Sequence, residues 1–153
     1  MGILAPALQS TPVSEPTLSL EKSNAAAVAR LRKAVPDLVA VYRFGSSVAG
    51  PPGPDGDLDF AFLGSEPLPP VRRFDLQEEL AAALRSAVDL VDLRRASAVM
   101  AMQVIGRGLL LFDGDPVERG RFEDLAYTTY ARLNEERRGI LERVSREGTV
   151  FGR

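Results

Sequence analysis

Apolar and polar positions along the chain predict four strands and four helices. Alternating or continuous apolar runs of strand length occupy residues 38–44, 57–63, 88–94 and 108–112. Apolar positions at helical spacing predict helices from a cap at Thr17 or Ser19 to Val35, then over 71–86, 97–107 and 117–146. We therefore expect a small sheet with helices packed on it.

For two of the helices the sequence also predicts which side chains face the core and which face solvent. The helix over 71–86 is expected to turn one apolar side to the core, formed by Phe74, Leu76, Leu80, Ala81, Ala83 and Leu84. The last helix has two interpretations. Either it packs across the sheet and shows water its charged side, or its arginines form a partner-binding surface, with Arg137, Arg138, Arg143 and Arg146 as candidates.

The strand at 57–63 begins with two carboxylates. Because successive strand side chains point to opposite faces, Asp57 and Asp59 project to the same side, roughly 7 Å apart along the strand. Leu58, Phe60 and Phe62 occupy the other face. Two acids at that spacing repel each other unless a cation lies between them, and carboxylate oxygens are ligands that Mg²⁺ prefers. The pattern predicts a magnesium-phosphate site.

A Gly-Ser turn after the first strand supplies the phosphate side of that site. Gly45 allows the backbone to approach a phosphate closely, and Ser46 offers a hydroxyl and an N–H. We assign the adjacent Ser47 to the same phosphate-binding turn. Arg43, just before it, is interpreted either as a solvated residue at the sheet edge, the simpler view, or as a phosphate contact.

Composition excludes several kinds of chemistry. The 153 residues contain no Cys and no His, so Ser-His-Asp and Cys-His nucleophile systems, disulfides and ordinary zinc sites are ruled out. The net charge of −2 argues against constitutive nucleic-acid binding, and no apolar run is long enough to span a membrane. We expect a cytoplasmic protein with a flexible tail at 1–16 and a single domain at 17–153.

The motif at the site resembles that of a known family. Gly45-Ser46, then ten residues, then Asp57-Leu58-Asp59 is similar to the signature of nucleotidyltransferases related to DNA polymerase β, and chain length suggests the minimal members that serve as antitoxins of HEPN-domain toxins. Family members commonly carry Ser before the first Asp, where this chain has Gly56. The resemblance implies an α+β nucleotidyltransferase fold with a small mixed sheet and a long C-terminal helix.

The resemblance also implies a third carboxylate. In such proteins it stands in a Val-Asp-Leu-Val context, which corresponds to Asp89. Asp92, three residues on, cannot share a face with Asp89 in a regular strand, so it is expected to be structural or to pair with Arg94 or Arg95. A bulge between the two acids would reverse that assignment.

Three functions are compatible with these residues. The first is Mg²⁺-dependent transfer of AMP from ATP to a hydroxyl, with Asp57, Asp59 and Asp89 as metal ligands and Asp89 also as proton acceptor. By analogy with the family, the acceptor is a tyrosine of a HEPN toxin partner. The alternatives are a non-catalytic antitoxin that masks its partner and a nucleotidyltransferase acting on a small molecule, for which we find no added substrate domain.

Overall fold

The computed structural model describes residues 20–45 and 57–147, which form four strands and four helices. The strands are β1 (Ala40–Phe44), β2 (Leu58–Leu63), β3 (Val88–Asp92) and β4 (Leu109–Asp113). The helices are α1 (residues 20–34), α2 (Pro70–Leu84), α3 (Ala98–Arg107) and α4 (Pro116–Glu147). The predicted tail at 1–16 lies outside the described residues, and the single-domain boundary at 17–153 stays a prediction.

The strands form one mixed sheet in the order β3-β2-β1-β4. β1 pairs antiparallel with β2 and with β4, with an irregularity between Val41 and Tyr42 on the β4 side, whereas β2 and β3 are parallel. A parallel pair needs a crossover, which α2 provides between β2 and β3. The predicted α+β fold with a small mixed sheet and a long C-terminal helix is confirmed.

Both faces of the sheet are covered by helices. One core cluster joins α1 and α2 to the face that carries Val41, Phe60 and Leu90. A second cluster joins α3 and the start of α4 to the face that carries Tyr42, Ala61 and Leu93. Since alternate strand residues face opposite ways, every strand residue can be assigned to one of these two sides.

Local sequence explains where the middle helices start and stop. Pro70 opens α2 at a position where no backbone donor is needed, and Arg85 closes it in the left-handed conformation, with φ 55°. Ser97 caps α3 by accepting a hydrogen bond from the Met100 N–H at 3.1 Å. The predicted boundaries of these elements are right within two residues.

The burial predicted for α2 is only partly right. Leu76 and Leu80 are buried, but Phe74 is 51% exposed and Ala83 is exposed as well. The helix touches the sheet along a narrower stripe than the sequence suggested, because its remaining sides face solvent. Phe74 is therefore a large aromatic side chain on the surface.

Only the start of α4 is attached to the body of the protein. Tyr42 donates a hydrogen bond to Glu123 at 2.7 Å, and Arg119 bridges Asp113 and Glu123 at 3.0 and 3.1 Å. Ala126 is buried, whereas Leu133 and Ile140 are 41% and 46% exposed. The prediction that α4 packs across the sheet thus holds for its first third, and the later turns present apolar side chains to solvent.

In the part of the chain that the structure describes, no helix has the length and hydropathy required to cross a membrane.

Candidate active site

The acidic residues of β2 project to the face that α3 and α4 cover. Asp59 shares its side of the strand with Ala61 and Leu63, while Phe60 and Phe62 are fully buried on the other side, as predicted. Asp57, immediately before the strand, is exposed, and Asp59 is half-buried. The carboxylates therefore stand at the N-terminal end of β2, at the boundary between core and solvent.

Asp89 joins these two residues from the neighbouring strand. In the parallel pairing of β2 with β3, Asp89 lies opposite Asp59. Adjacent strands are about 4.8 Å apart, and residues in register on a parallel pair point to the same face. Asp89 is exposed, so its carboxylate lies beside that of Asp59 at the rim of the sheet.

Gly45 brings the end of β1 against the same carboxylate. Phe44 is the register partner of Asp59, and Gly45 follows it with φ +87°, a conformation that L side chains rarely adopt. A Cβ at Gly45 would run into the nearer carboxylate oxygen of Asp59 and lie 3.0 Å from its Cγ. The chain accommodates the turn and the acid together because residue 45 has no side chain.

The charges of the three acids interact. Burial raises the pKa of Asp59 above its ordinary value, and the negative charges of Asp89 and Asp57 raise it further, while Arg43 opposes them. Three neighbouring carboxylates are, as a donor set, suited to a hard divalent cation with oxygen ligands. Within residues 20–45 and 57–147, however, no group of three or more acids is already arranged as a metal-coordinating cluster.

Arg43 is not the solvated edge residue that the sequence suggested. Its side chain is 2% exposed, its Nη1 donates to Asn24 Oδ1 at 2.6 Å, and its guanidinium lies 5.8 Å from the centre of the Phe60 ring. Burial lowers its pKa, and the charge of Asp59 acts against that shift. Arg43 thus ties β1 to α1 beneath the acidic site. The alternative view of Arg43 as a phosphate contact stays a prediction.

Asp92 lies on the other side of the sheet. It is 3% exposed and accepts hydrogen bonds from the backbone N–H groups of Leu68 at 2.8 Å and Arg94 at 3.0 Å. Val88, Leu90 and Asp92 alternate with Asp89, and no bulge interrupts the pairing with β2. The structure therefore brings Asp89, and not Asp92, to Asp57 and Asp59.

Part of the predicted site lies outside the described residues. This applies to Ser46 and Ser47 of the Gly-Ser turn and to Gly56 before the first acid. The residues that the structure does bring together are Gly45, Asp57, Asp59 and Asp89. Sequence reasoning missed the burial of Arg43, although its position on an apolar strand between Tyr42 and Phe44 was an available signal.

A family comparison accounts for this arrangement. The model described as "Polymerase beta, Nucleotidyltransferase" matches residues 28–117, which is more than half of the chain and includes the turn and all three acids. The chain belongs to this nucleotidyltransferase family. The three acids thus lie within the part of the chain that matches the family.

Within this family, the chain is similar to protein adenylyltransferases and antitoxins. This nucleotidyltransferase is 38% identical over 114 residues to the protein adenylyltransferase MntA of Shewanella oneidensis, an alignment that covers 74% of this chain and 81% of MntA. It is also similar to two solved antitoxin structures. One is the MNT antitoxin of Shewanella oneidensis in complex with a tri-AMPylated HEPN toxin, with 34% identity and a TM-score of 0.69 over 82% of this chain and 98% of that one.

The other solved structure is a toxin–antitoxin complex with AMP-PNP. This nucleotidyltransferase matches it with 35% identity and a TM-score of 0.72, over 80% of this chain and 98% of that one. In both complexes, nearly the whole length of the matched chain aligns with this protein.

Proposed function

We propose that the protein is an antitoxin that transfers AMP from ATP to a tyrosine hydroxyl of a HEPN-domain toxin, with Mg²⁺ as the metal ion, in the cytoplasm. The alignment of Asp59 with Asp89 across β2 and β3, directly over the Gly45 turn, is the observation that carries the proposal. The relatives support the donor and the acceptor. One is named a protein adenylyltransferase, and the antitoxin structures include an AMPylated toxin and an ATP analogue.

The acids at 57, 59 and 89 would hold the metal ion. Their carboxylates share one face, and their mutual repulsion is relieved when a divalent cation binds among them. When bound, Mg²⁺ supplies positive charge to the α-phosphate and to the leaving pyrophosphate. Gly45, together with Ser46 and Ser47, which follow it in the sequence, would bind the β- and γ-phosphates through backbone N–H groups and hydroxyls.

The transfer step needs no nucleophile from this chain. The acceptor oxygen forms a bond to the α-phosphorus of ATP, the bond between that phosphorus and the α–β bridging oxygen breaks, and pyrophosphate leaves with the electron pair. The proton of the acceptor hydroxyl passes to Asp89, which is exposed and carries no competing hydrogen bond among the described residues. A chain without His can catalyse this reaction because positioning and charge stabilisation do most of the work.

A non-catalytic antitoxin is the second candidate, and the exposed later turns of α4 offer the partner-binding surface that it requires. Leu133, Ile140 and Leu141 are each at least 41% exposed on the later turns of this helix. Such a surface suits a helical partner. It is equally compatible with an enzyme that must bind its acceptor protein, so the two candidates differ only in whether AMP is transferred.

Labelling the partner with AMP separates these candidates. The purified chain is mixed with α-labelled ATP, Mg²⁺ and the HEPN-domain protein encoded next to it. We expect label on a tyrosine of the partner, and none with the double variant Asp57→Asn, Asp59→Asn. The variant Asp75→Asn, Glu78→Gln changes two exposed acids of α2 and is the matched control. Label from the first double variant, or none from the wild-type chain when it nevertheless neutralises the toxin, would contradict the proposal.

A further inference from the structure

A groove runs along the outer edge of the sheet next to the acidic site. It lies between α2 and β3, has a volume of about 500 Å³, and Asp89 forms part of its lining. Its other walls include the Phe74 ring, Gln77 and the exposed side chain of Arg95. The groove therefore includes the third carboxylate. Because β3 is the edge strand and β2 separates it from β1, the groove lies on the side of Asp89 that faces away from the Gly45 turn.

Hydrogen bonds hold α2 rigidly against this edge. Gln77 Oε1 accepts from the Leu90 N–H at 2.9 Å, and Arg73 Nη1 donates to the Leu90 carbonyl at 2.9 Å and to Gln77 at 3.0 Å. Both outward backbone groups of Leu90 are thus occupied, which closes the middle of the edge to strand addition. A side chain inserted into the groove, and not a paired strand, fits this construction.

Phe74 gives the groove an aromatic wall. It is 51% exposed although it belongs to a well-anchored helix, one residue from Arg73 and three from Gln77. An exposed aromatic ring on a fixed element costs solvation free energy that a partner recovers by covering it, and a second ring is its most favourable neighbour, with centroids about 4.5–7 Å apart. Phe74, from α2, and Asp89, from β3, both line this groove, so together they offer a ring contact and an acceptor for a hydroxyl.

We propose that this groove is the acceptor site, in which the tyrosine of the partner packs its ring on Phe74 and directs its hydroxyl to Asp89. The inference rests on the proposed function and adds to it the residues that select the acceptor. Arg95, anchored by its Nε to the Leu68 carbonyl at 2.7 Å, places a positive charge at the same wall. That charge suits an acidic residue beside the acceptor tyrosine. Phe74 would thus determine acceptor affinity without contacting ATP.

Steady-state kinetics with the intact partner test this assignment. AMP transfer is measured while the partner is titrated at saturating ATP, and again while ATP is titrated at saturating partner. For Phe74→Ala we expect the KM for the partner to rise about tenfold, as for loss of one aromatic stacking contact, with the KM for ATP unchanged. Phe74→Tyr should restore the wild-type value, and Val71→Ala, exposed on the same helix outside the groove, should have no effect.

The outcomes distinguish this inference from the proposed function. An unchanged KM for the partner in Phe74→Ala, with wild-type transfer intact, overturns the acceptor site alone. A rise in the KM for ATP instead overturns it in favour of a nucleotide-binding groove. If the wild-type chain transfers no AMP to the partner, the proposed function fails first. Thermal unfolding of each variant verifies that the exposed substitution leaves the fold intact.

Discussion

Asp59 and Asp89, thirty positions apart in the chain, are register partners on the parallel strands β2 and β3. The two strands are connected through α2. Their register determines that Asp89, and not Asp92, reaches the site. Because Asp92 is an odd number of residues from Asp89, the same register directs it to the opposite face.

Replacing Asp89 and Asp92 should have opposite consequences. We expect Asp89→Asn to lower AMP transfer about 100-fold or more without lowering stability, because Asp89 is exposed and its charge repels that of Asp59. Asp92→Ala should cost about 2–4 kcal/mol of unfolding free energy, because it leaves the N–H groups of Leu68 and Arg94 without their acceptor. Urea unfolding and transfer assays on both variants provide the comparison. Retained activity in Asp89→Asn would show that the wrong acid was assigned.

Substitution of Gly45 should reduce activity because the new side chain displaces the Asp59 carboxylate. In Gly45→Ala the new Cβ meets the Asp59 carboxylate, and the residue must keep a positive φ at a cost of about 1–2 kcal/mol. Displacing a catalytic group by about 1 Å can cost 100-fold in rate, so we expect a loss of about that size. Gly106→Ala is the control, since no atom lies within 4 Å of a Cβ there, and its activity should match wild type. Similar activity in the two variants would contradict this account.

Burial of Asp59 and the charges of the neighbouring acids predict a pH-dependent difference in stability. Because the folded state raises the pKa of Asp59 above its ordinary 3.8, the contribution of Asp59 is present at lower pH and is lost as the pH rises through the folded value. Without metal, Asp59→Asn should therefore be more thermostable than wild type at neutral pH, and the gap should close toward pH 3. Thermal unfolding across pH 3–8 measures this gap.

Mg²⁺ provides the control for this pH experiment. Adding the ion at neutral pH should stabilise the wild-type chain and narrow its difference from Asp59→Asn, because the cation relieves the same repulsion. A difference that does not depend on pH would mean that neither burial nor the neighbouring acids disfavour the ionised form of Asp59.

The closed edge of β3 should open when Gln77 is replaced. Gln77→Met keeps a long side chain but removes the acceptor of the Leu90 N–H, which we expect to increase hydrogen exchange at that amide about tenfold. Glu78→Met, at the exposed neighbouring position, should leave exchange at Leu90 unchanged. Exchange measured by NMR resolves the single amide. Equal protection in both variants would show that Gln77 does not close the edge.

Much of the local structure follows from the sequence. Period-two alternation defined the strands and separated Asp57 and Asp59 from Phe60 and Phe62, because the pleat allows no other arrangement. Helical spacing of apolar residues placed the helices at 71–86 and 97–107, within two residues of α2 and α3. The spacing of the Gly-Ser turn and the acids led to the family that the comparison then established.

The tertiary structure decided which side chains are buried and which residues of different elements lie side by side. The sequence pattern placed Phe74 in the core and favoured a solvated Arg43 over a phosphate contact. In the fold Phe74 is exposed and Arg43 is buried, since burial depends on which surfaces the other elements cover. It also resolved the choice between Asp89 and Asp92, which required the register of two strands separated by a helix. Periodicity along one segment fixes the direction of its side chains, whereas the residues that they meet are set by contacts distant in sequence.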